Sequence, residues 1–209
     1  MSLATIWGYN LTEDATTFAD LLTESEFDEL TAGKYTGDRR ITAEIKPASD
    51  AIRNYCGWHL YPEAACSLSE RLLHGDGRAK RVGRDLMIQL PARFVTAVSS
   101  VLIDDVAYTD FDFERDGILH IFDVPALSRK SLVVVNYTAG IPAALMGSVK
   151  ELAAHRVTHA LASSNGVTSE AAGGVSITYN AAWVNSARAS ALPDDDKEVL
   201  APFKVQGVF

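Results

Sequence analysis

The spacing of apolar positions changes twice along the chain, from helical to alternating and back to helical. Between Ala15 and Ala32 the apolar face falls out of phase, with Phe18, Leu21 and Leu22 on one side and Phe27 and Leu30 elsewhere. Thr23-Glu24-Ser25-Glu26 has the form of a capping box, in which hydroxyl and carboxylate satisfy each other's free backbone donors. The pattern therefore predicts two short helices joined near Thr23, the second ended by Gly33. A longer helix is predicted from Arg39 to Cys56, where Ile41, Ile45, Ala48, Ile52 and Cys56 form one stripe. Pro47 is expected to kink it or mark a start, and Gly57 to stop it.

From Ser67 to Gly140 the period is two. Strands are predicted at Leu86–Leu90, Val98–Ile103, Ile118–Phe122 and Leu132–Tyr137. The Asp-Gly pair in Arg115-Asp116-Gly117 signals a tight hairpin, Asp104-Asp105 a weaker turn, and Gly75-Asp76-Gly77 another reversal. Every residue from Leu132 to Val135 is apolar, so this strand is expected to be covered on both faces. Pro142 then opens a helix to about Ser163, with Leu145, Met146, Val149, Leu152, Ala153 and Ala160 as its stripe and Asn165-Gly166 as its end. A short strand at Val175–Tyr179 follows, and a last helix over Asp194–Leu200 puts acidic residues at the positive end of the helix dipole.

The fold class read from this order is α+β: a mainly helical core of three to five helices from both chain ends, with a β-rich hairpin insert in the middle. In residue terms, 1–66 and 141–209 form the helical core and 67–140 the insert.

Composition narrows the classes. A chain of 209 residues with 47% hydrophobic content buries a core without metal or disulfide staples. Its two cysteines, Cys56 and Cys66, read as reduced thiols of a protein made in a cytosol. Met1-Ser2-Leu3-Ala4 lacks the basic start of a signal peptide, and no apolar run approaches a membrane span, so the expectation is a soluble chain that is not exported. The net charge of −8 argues against nonspecific nucleic-acid binding by the whole surface.

No Gly-x-Ser-x-Gly elbow, phosphate loop or dinucleotide fingerprint occurs. His155 and His159 sit at i, i+4 on a helix, but no glutamate, cysteine or further carboxylate supplies the rest of a metal site, and Arg156 between them repels a cation. Cys56-Gly57-Trp58-His59 offers a weaker pair still. The chain therefore reads as no enzyme, with no catalytic residue, cofactor or metal assigned.

Three features point to contacts instead. Arg156 falls inside the apolar stripe of its helix, so its charge either pairs within the chain, with Asp50 or Glu44, or faces another subunit. Between Ser67 and Arg84 five cations (Arg71, Arg78, Lys80, Arg81, Arg84) stand against two carboxylates. That segment reads as an exposed basic loop, and Arg78, Lys80, Arg81 and Arg84 are its candidate DNA-facing residues. The C-terminal run through Phe203, Gln206, Val208 and Phe209 is unusually apolar for a tail, so it is expected to dock on its own domain or on a neighbour.

Ala51-Ile52-Arg53-Asn54-Tyr55-Cys56-Gly57-Trp58-His59 resembles the end of the second main helix in phage head-tail connector proteins of the HK97 adaptor type. Gly166-Val167-Thr168-Ser169-Glu170 with Gly173-Gly174-Val175-Ser176-Ile177-Thr178-Tyr179 is similar to the segment after their long helix, and Phe203–Phe209 to their ending. The smallest members are mainly helical, so Ser67–Gly140 departs from their pattern. The resemblance implies a virion protein at the head-tail junction, synthesised in the bacterial host cytoplasm. It implies a homo-oligomeric ring between the portal protein and a tail-side connector or tail-completion protein, with DNA passing through the lumen. Two alternatives stay open: a small hydrolase combining His120 or His155 with Asp116 and a serine, and a DNA-binding module using the basic loop.

Overall fold

The computed structural model describes residues 3–12, 18–71, 78–125, 127–128, 131–163, 169–172, 175–178 and 192–205. Its strands, numbered along the chain, are β1 (Leu3–Ala4), β2 (Asn10–Leu11), β3 (Ala64–Arg71), β4 (Ala79–Val82), β5 (Asp85–Gln89) and β6 (Val95–Ile103). They continue with β7 (Val106–Tyr108), β8 (Phe111–Phe113), β9 (Ile118–Ile121), β10 (Leu132–Ala139), β11 (Ser169–Ala172) and β12 (Val175–Thr178). The α-helices are α1 (Glu24–Leu30), α2 (Ile41–Cys56), α3 (Gly147–Ser163) and α4 (Asp194–Leu200). These elements form two compact units, one of Met1–Ala19, Gly57–Ala143 and Phe203–Phe209, the other of Asp20–Cys56 and Ala144–Pro202.

The first unit holds two antiparallel sheets, a six-stranded one in the order β1-β2-β3-β10-β6-β7 and a four-stranded one in the order β4-β5-β9-β8. Alternation builds the larger sheet's core. Ala64, Cys66 and Leu68 of β3, Val133, Val135, Tyr137 and Ala139 of β10, and Val95, Val101 and Ile103 of β6 are all buried. The strand β10 is central, pairing with β3 on one side and β6 on the other. Only one of its faces is fully covered, however. Leu132 is 37% exposed and Val134 half-buried, so the apolar run from Leu132 to Val135 does not mean burial on both faces. Cys56 and Cys66 are free and buried.

Two turns match their sequence signals. Asp104 and Asp105 both have positive φ, 50° and 64°, the backbone of a two-residue hairpin joining β6 and β7. Gly117, at φ 94° between β8 and β9, admits no side chain, since a Cβ there would lie 2.3 Å from the Ala92 carbonyl oxygen. The reversal expected at Gly75-Asp76-Gly77 lies outside the described residues.

The second unit is built on helices, with the β11-β12 hairpin beside them in sequence. The predicted stripe of α2 is its buried face: Ile41, Ile45, Ala48, Ile52 and Cys56 are all buried. The helix runs unbroken through Pro47, which sits on the exposed side, where the carbonyl it cannot serve is solvated. Gly57 follows at φ 79°, the left-handed stop its position predicts. The capping box at α1 is present, with Thr23 and Glu26 bonded reciprocally. No helix precedes it among the described residues from Phe18 to Thr23. In α3, Val149, Leu152, Ala153, Val157 and Ala160 face inward, and Met146 just before the helix is buried too. Leu145 is not; it stands in a single 3-10 turn before the helix and is 48% exposed. The helix over Asp194–Leu200 is where it is predicted.

The expectation of a mainly helical core is corrected. Among the described residues, twelve strands in three antiparallel sheets outnumber four α-helices, and the fold is β-rich. The physical reason is that β3, β6 and β10 bury alternate residues on a core of their own. That sheet also recruits β1 and β2, which the helical reading had assigned to the core.

Candidate functional site

Arg156 lies on α3 among Val149, Ala153 and Val157 and is 8% exposed. Its charge is met within the chain, by Asp196 of α4 rather than by Asp50 or Glu44. One guanidinium nitrogen, Nη1, donates to Asp196 Oδ2 at 3.4 Å. The contact is single and long, and the buried Nε has no hydrogen-bond partner among the described residues. A fork matched to a carboxylate would use two bonds, so this pair neutralises a charge more than it binds tightly.

The C-terminal segment docks on its own unit through Phe203 and the Lys204 carbonyl, which accepts from Arg93 Nη1 at 3.4 Å. Phe203 stacks on Phe94, with ring centroids 6.1 Å apart, and Phe94 stacks in turn on the buried Trp58 at 6.4 Å. The Trp58 indole N–H donates to the Phe203 carbonyl at 2.7 Å, and the Arg115 guanidinium lies 4.9 Å from the centre of the middle ring, Phe94. Three aromatic rings in a row thus account for one of the expected tail contacts. Gln206, Val208 and Phe209 lie outside the described residues.

The basic residues are part of a hairpin. The strands β4 and β5 are joined by Gly83-Arg84, with Gly83 at φ 66°, as a turn with glycine in its first central position requires. Arg81 is engaged with backbone: Nε donates to the Gly83 carbonyl at 3.0 Å, Nη1 to Pro125 at 3.0 Å and Nη2 to Val124 at 2.7 Å. Arg84 pairs with Asp123 at 2.6 Å and Arg78 with Glu70 at 3.9 Å. Lys80 is exposed on the outer edge strand. Most of the local cationic charge is therefore met by nearby carboxylates and carbonyls.

The histidines sort by burial. His59 is fully buried and serves as a joint: its Nδ1 accepts from the Tyr9 hydroxyl at 2.7 Å, and Nε2 donates to the Ala139 carbonyl at 3.0 Å. A carbonyl only accepts, so Nε2 carries a proton. The Tyr9 oxygen in turn accepts the His59 backbone N–H at 3.0 Å. The sequence reading missed this triangle because Tyr9 sits in a segment with no periodic signal. His120 bonds Glu114 at 3.2 Å on the surface, and one carboxylate oxygen of Asp116, Oδ1, is buried without a hydrogen-bond partner among the described residues. His155 and His159 meet edge to face, with Nε2 atoms 3.1 Å apart. Burial, followed by the neighbouring His155, holds the His159 imidazole below its ordinary pKa; Asp196 pulls the other way and Arg156 adds to the lowering. Among the described residues no group of three or more histidine, cysteine or carboxylate side chains is placed to hold a metal ion.

Aromatic docking, internal ion pairs and a buried histidine joint hold the fold together. The family model for head completion proteins matches residues 20–189. The chain therefore belongs to the head completion protein family, bacteriophage structural proteins of the head-tail connector class found in the virion. A search of curated proteins finds no match. No helix among the described residues is long and apolar enough to cross a membrane.

Proposed function

We propose that this chain is one subunit of a homo-oligomeric ring at the head-tail junction. Its partners are the portal protein on the head side and a tail-side connector or tail-completion protein on the other. The lumen passes DNA without sequence-specific binding. The observation that carries this reading is membership of the head completion family across residues 20–189. A protein completing a vertex through which one duplex passes must surround an axis, and identical subunits do so by closing a ring through heterologous contacts. The acidic balance, −8 over the chain, supports passage over capture, since a phosphate backbone meets few unpaired cations. Within this reading, Gln206, Val208 and Phe209 are the tail residues proposed to meet a neighbour.

Molar mass by light scattering over a wide concentration range tests it. A ring-sized species, or mass rising with concentration, is the expected result. A strict monomer at high concentration, even with portal protein present, overturns the ring.

A further inference from the structure

The four-stranded sheet ends in two edges of opposite charge. One edge is β4, with Lys80 and Arg81 on the strand and Arg78 just before it; the other is β8, Phe111-Asp112-Phe113, flanked by Asp110 and Glu114. Because every pairing is antiparallel, β4 and β8 run in opposite directions. The registers align residues in rows across the sheet. Lys80, Met87, His120 and Asp112 form one row; Ala79, Ile88, Leu119 and Phe113 lie on one side of it and Arg81, Leu86, Ile121 and Phe111 on the other. The next row in the same alternation carries Arg78, Gln89, Ile118 and Glu114.

We infer that β8 of one copy pairs edge to edge with β4 of the next, continuing the antiparallel sheet from subunit to subunit around the ring. This deepens the ring reading and rests on it. In the continued register Lys80 faces Asp112 of the neighbouring copy, and Arg78 faces Glu114, exchanging their contacts with Glu70 and His120 within the chain, so cation meets carboxylate in alternate rows. The backbone parity fits as well. Gln89 N–H donates to the Arg78 carbonyl at 2.7 Å and Glu114 N–H to the Ile118 carbonyl at 2.7 Å. Those bonds turn the main-chain groups of Ala79 and Arg81, and of Phe111 and Phe113, to the outer edges. The Phe113 N–H is meanwhile held by its neighbour's side chain, Asp112 Oδ1, at 2.8 Å. Docking passes that N–H to the Ala79 carbonyl and releases the Asp112 carboxylate to Lys80.

The charges also choose the arrangement. Two β4 edges, or two β8 edges, place like charges together, which blunts the wrong pairing, while β4 against β8 is favoured. A contact between two different edges is heterologous and repeats, which is what a ring requires.

The test is a mixed cysteine cross-link. Residues opposite each other in a non-hydrogen-bonded antiparallel pair have Cα atoms about 4.5 Å apart, within disulfide reach. The native thiols are buried and do not compete. Full-length Lys80→Cys and Asp112→Cys, mixed and oxidised, are expected to give a cross-linked dimer that neither variant gives alone. In light scattering, Lys80→Glu should weaken self-association by about 10-fold or more, and Lys80→Glu with Asp112→Lys should restore it. If wild type associates but the mixture does not cross-link and the charge exchange restores nothing, edge pairing is overturned and the ring stands. A cross-link from one variant alone means a symmetric contact and also overturns it. Wild type that stays monomeric throughout overturns both readings together.

Discussion

The indole N–H of Trp58 reaches across 145 residues of chain to the carbonyl of Phe203, 2.7 Å away. Trp58 is fully buried, so its ring anchors the C-terminal segment by a hydrogen bond and, through Phe94, by stacking. Trp58→Phe keeps most of the ring and loses the donor. It is expected to cost about 1 kcal/mol, the net worth of one hydrogen bond, whereas Trp58→Ala should cost about 3–5 kcal/mol through the cavity it leaves. Urea denaturation midpoints check both. Limited proteolysis should show the C-terminal segment cut faster in Trp58→Phe than in wild type, because the donor that holds the Phe203 carbonyl is gone.

Arg156 and Asp196 make an opposite kind of contact, between two ions with little exposure each. Asp196→Ala leaves a buried guanidinium uncompensated and should cost about 3–5 kcal/mol. Arg156→Leu with Asp196→Leu removes both charges and fills the site with apolar volume, and should fall near wild-type stability or above it. Thermal unfolding of the single and double variants decides this. If the pair serves only inside the subunit, the double variant also keeps the wild-type self-association.

Much of the helical unit was legible because its signals are local. A capping box, a three-and-four stripe and a glycine stop each lie within a few residues, and each is found where the pattern puts it, the box at α1 and the stripe and stop at α2. The strands β5, β6, β9, β10 and β12 were legible one by one for the same reason. Their partnership was not. Nothing around Leu3 or Asn10 announces that β1 and β2 complete a sheet with β3, since each contributes two residues and the pairing spans more than fifty positions. That long-range closure is what turned an expected insert into a β-rich body. The candidate site shows the same division. Arg156 stands out in the sequence as a charge in an apolar stripe, but its partner lies 40 residues on, beyond what a helical wheel shows. The basic segment was read as a loop because its charges hide the alternation of β4, and only the register reveals that its cations line an edge facing away from a carboxylate edge.

His159 gives a pH dependence whose sign is fixed. Its imidazole is held below the ordinary value of 6.5, first by burial, then by His155, with Arg156 adding and Asp196 opposing. The folded state therefore binds that proton less readily than the unfolded chain does. Stability from this group is fully present above about pH 6.5 and declines as pH falls through that value. The decline ends only once the lower, folded value has been passed and both states are protonated. His159→Gln, which keeps a polar side chain but does not titrate, is expected to flatten the fall in unfolding free energy between pH 7 and pH 5. Urea unfolding across that range, with the His159 ring followed by NMR titration, measures both halves. A wild-type stability that rises as pH drops through this window, or a His159 that titrates above its ordinary value, would show that the carboxylate of Asp196 outweighs burial at this site.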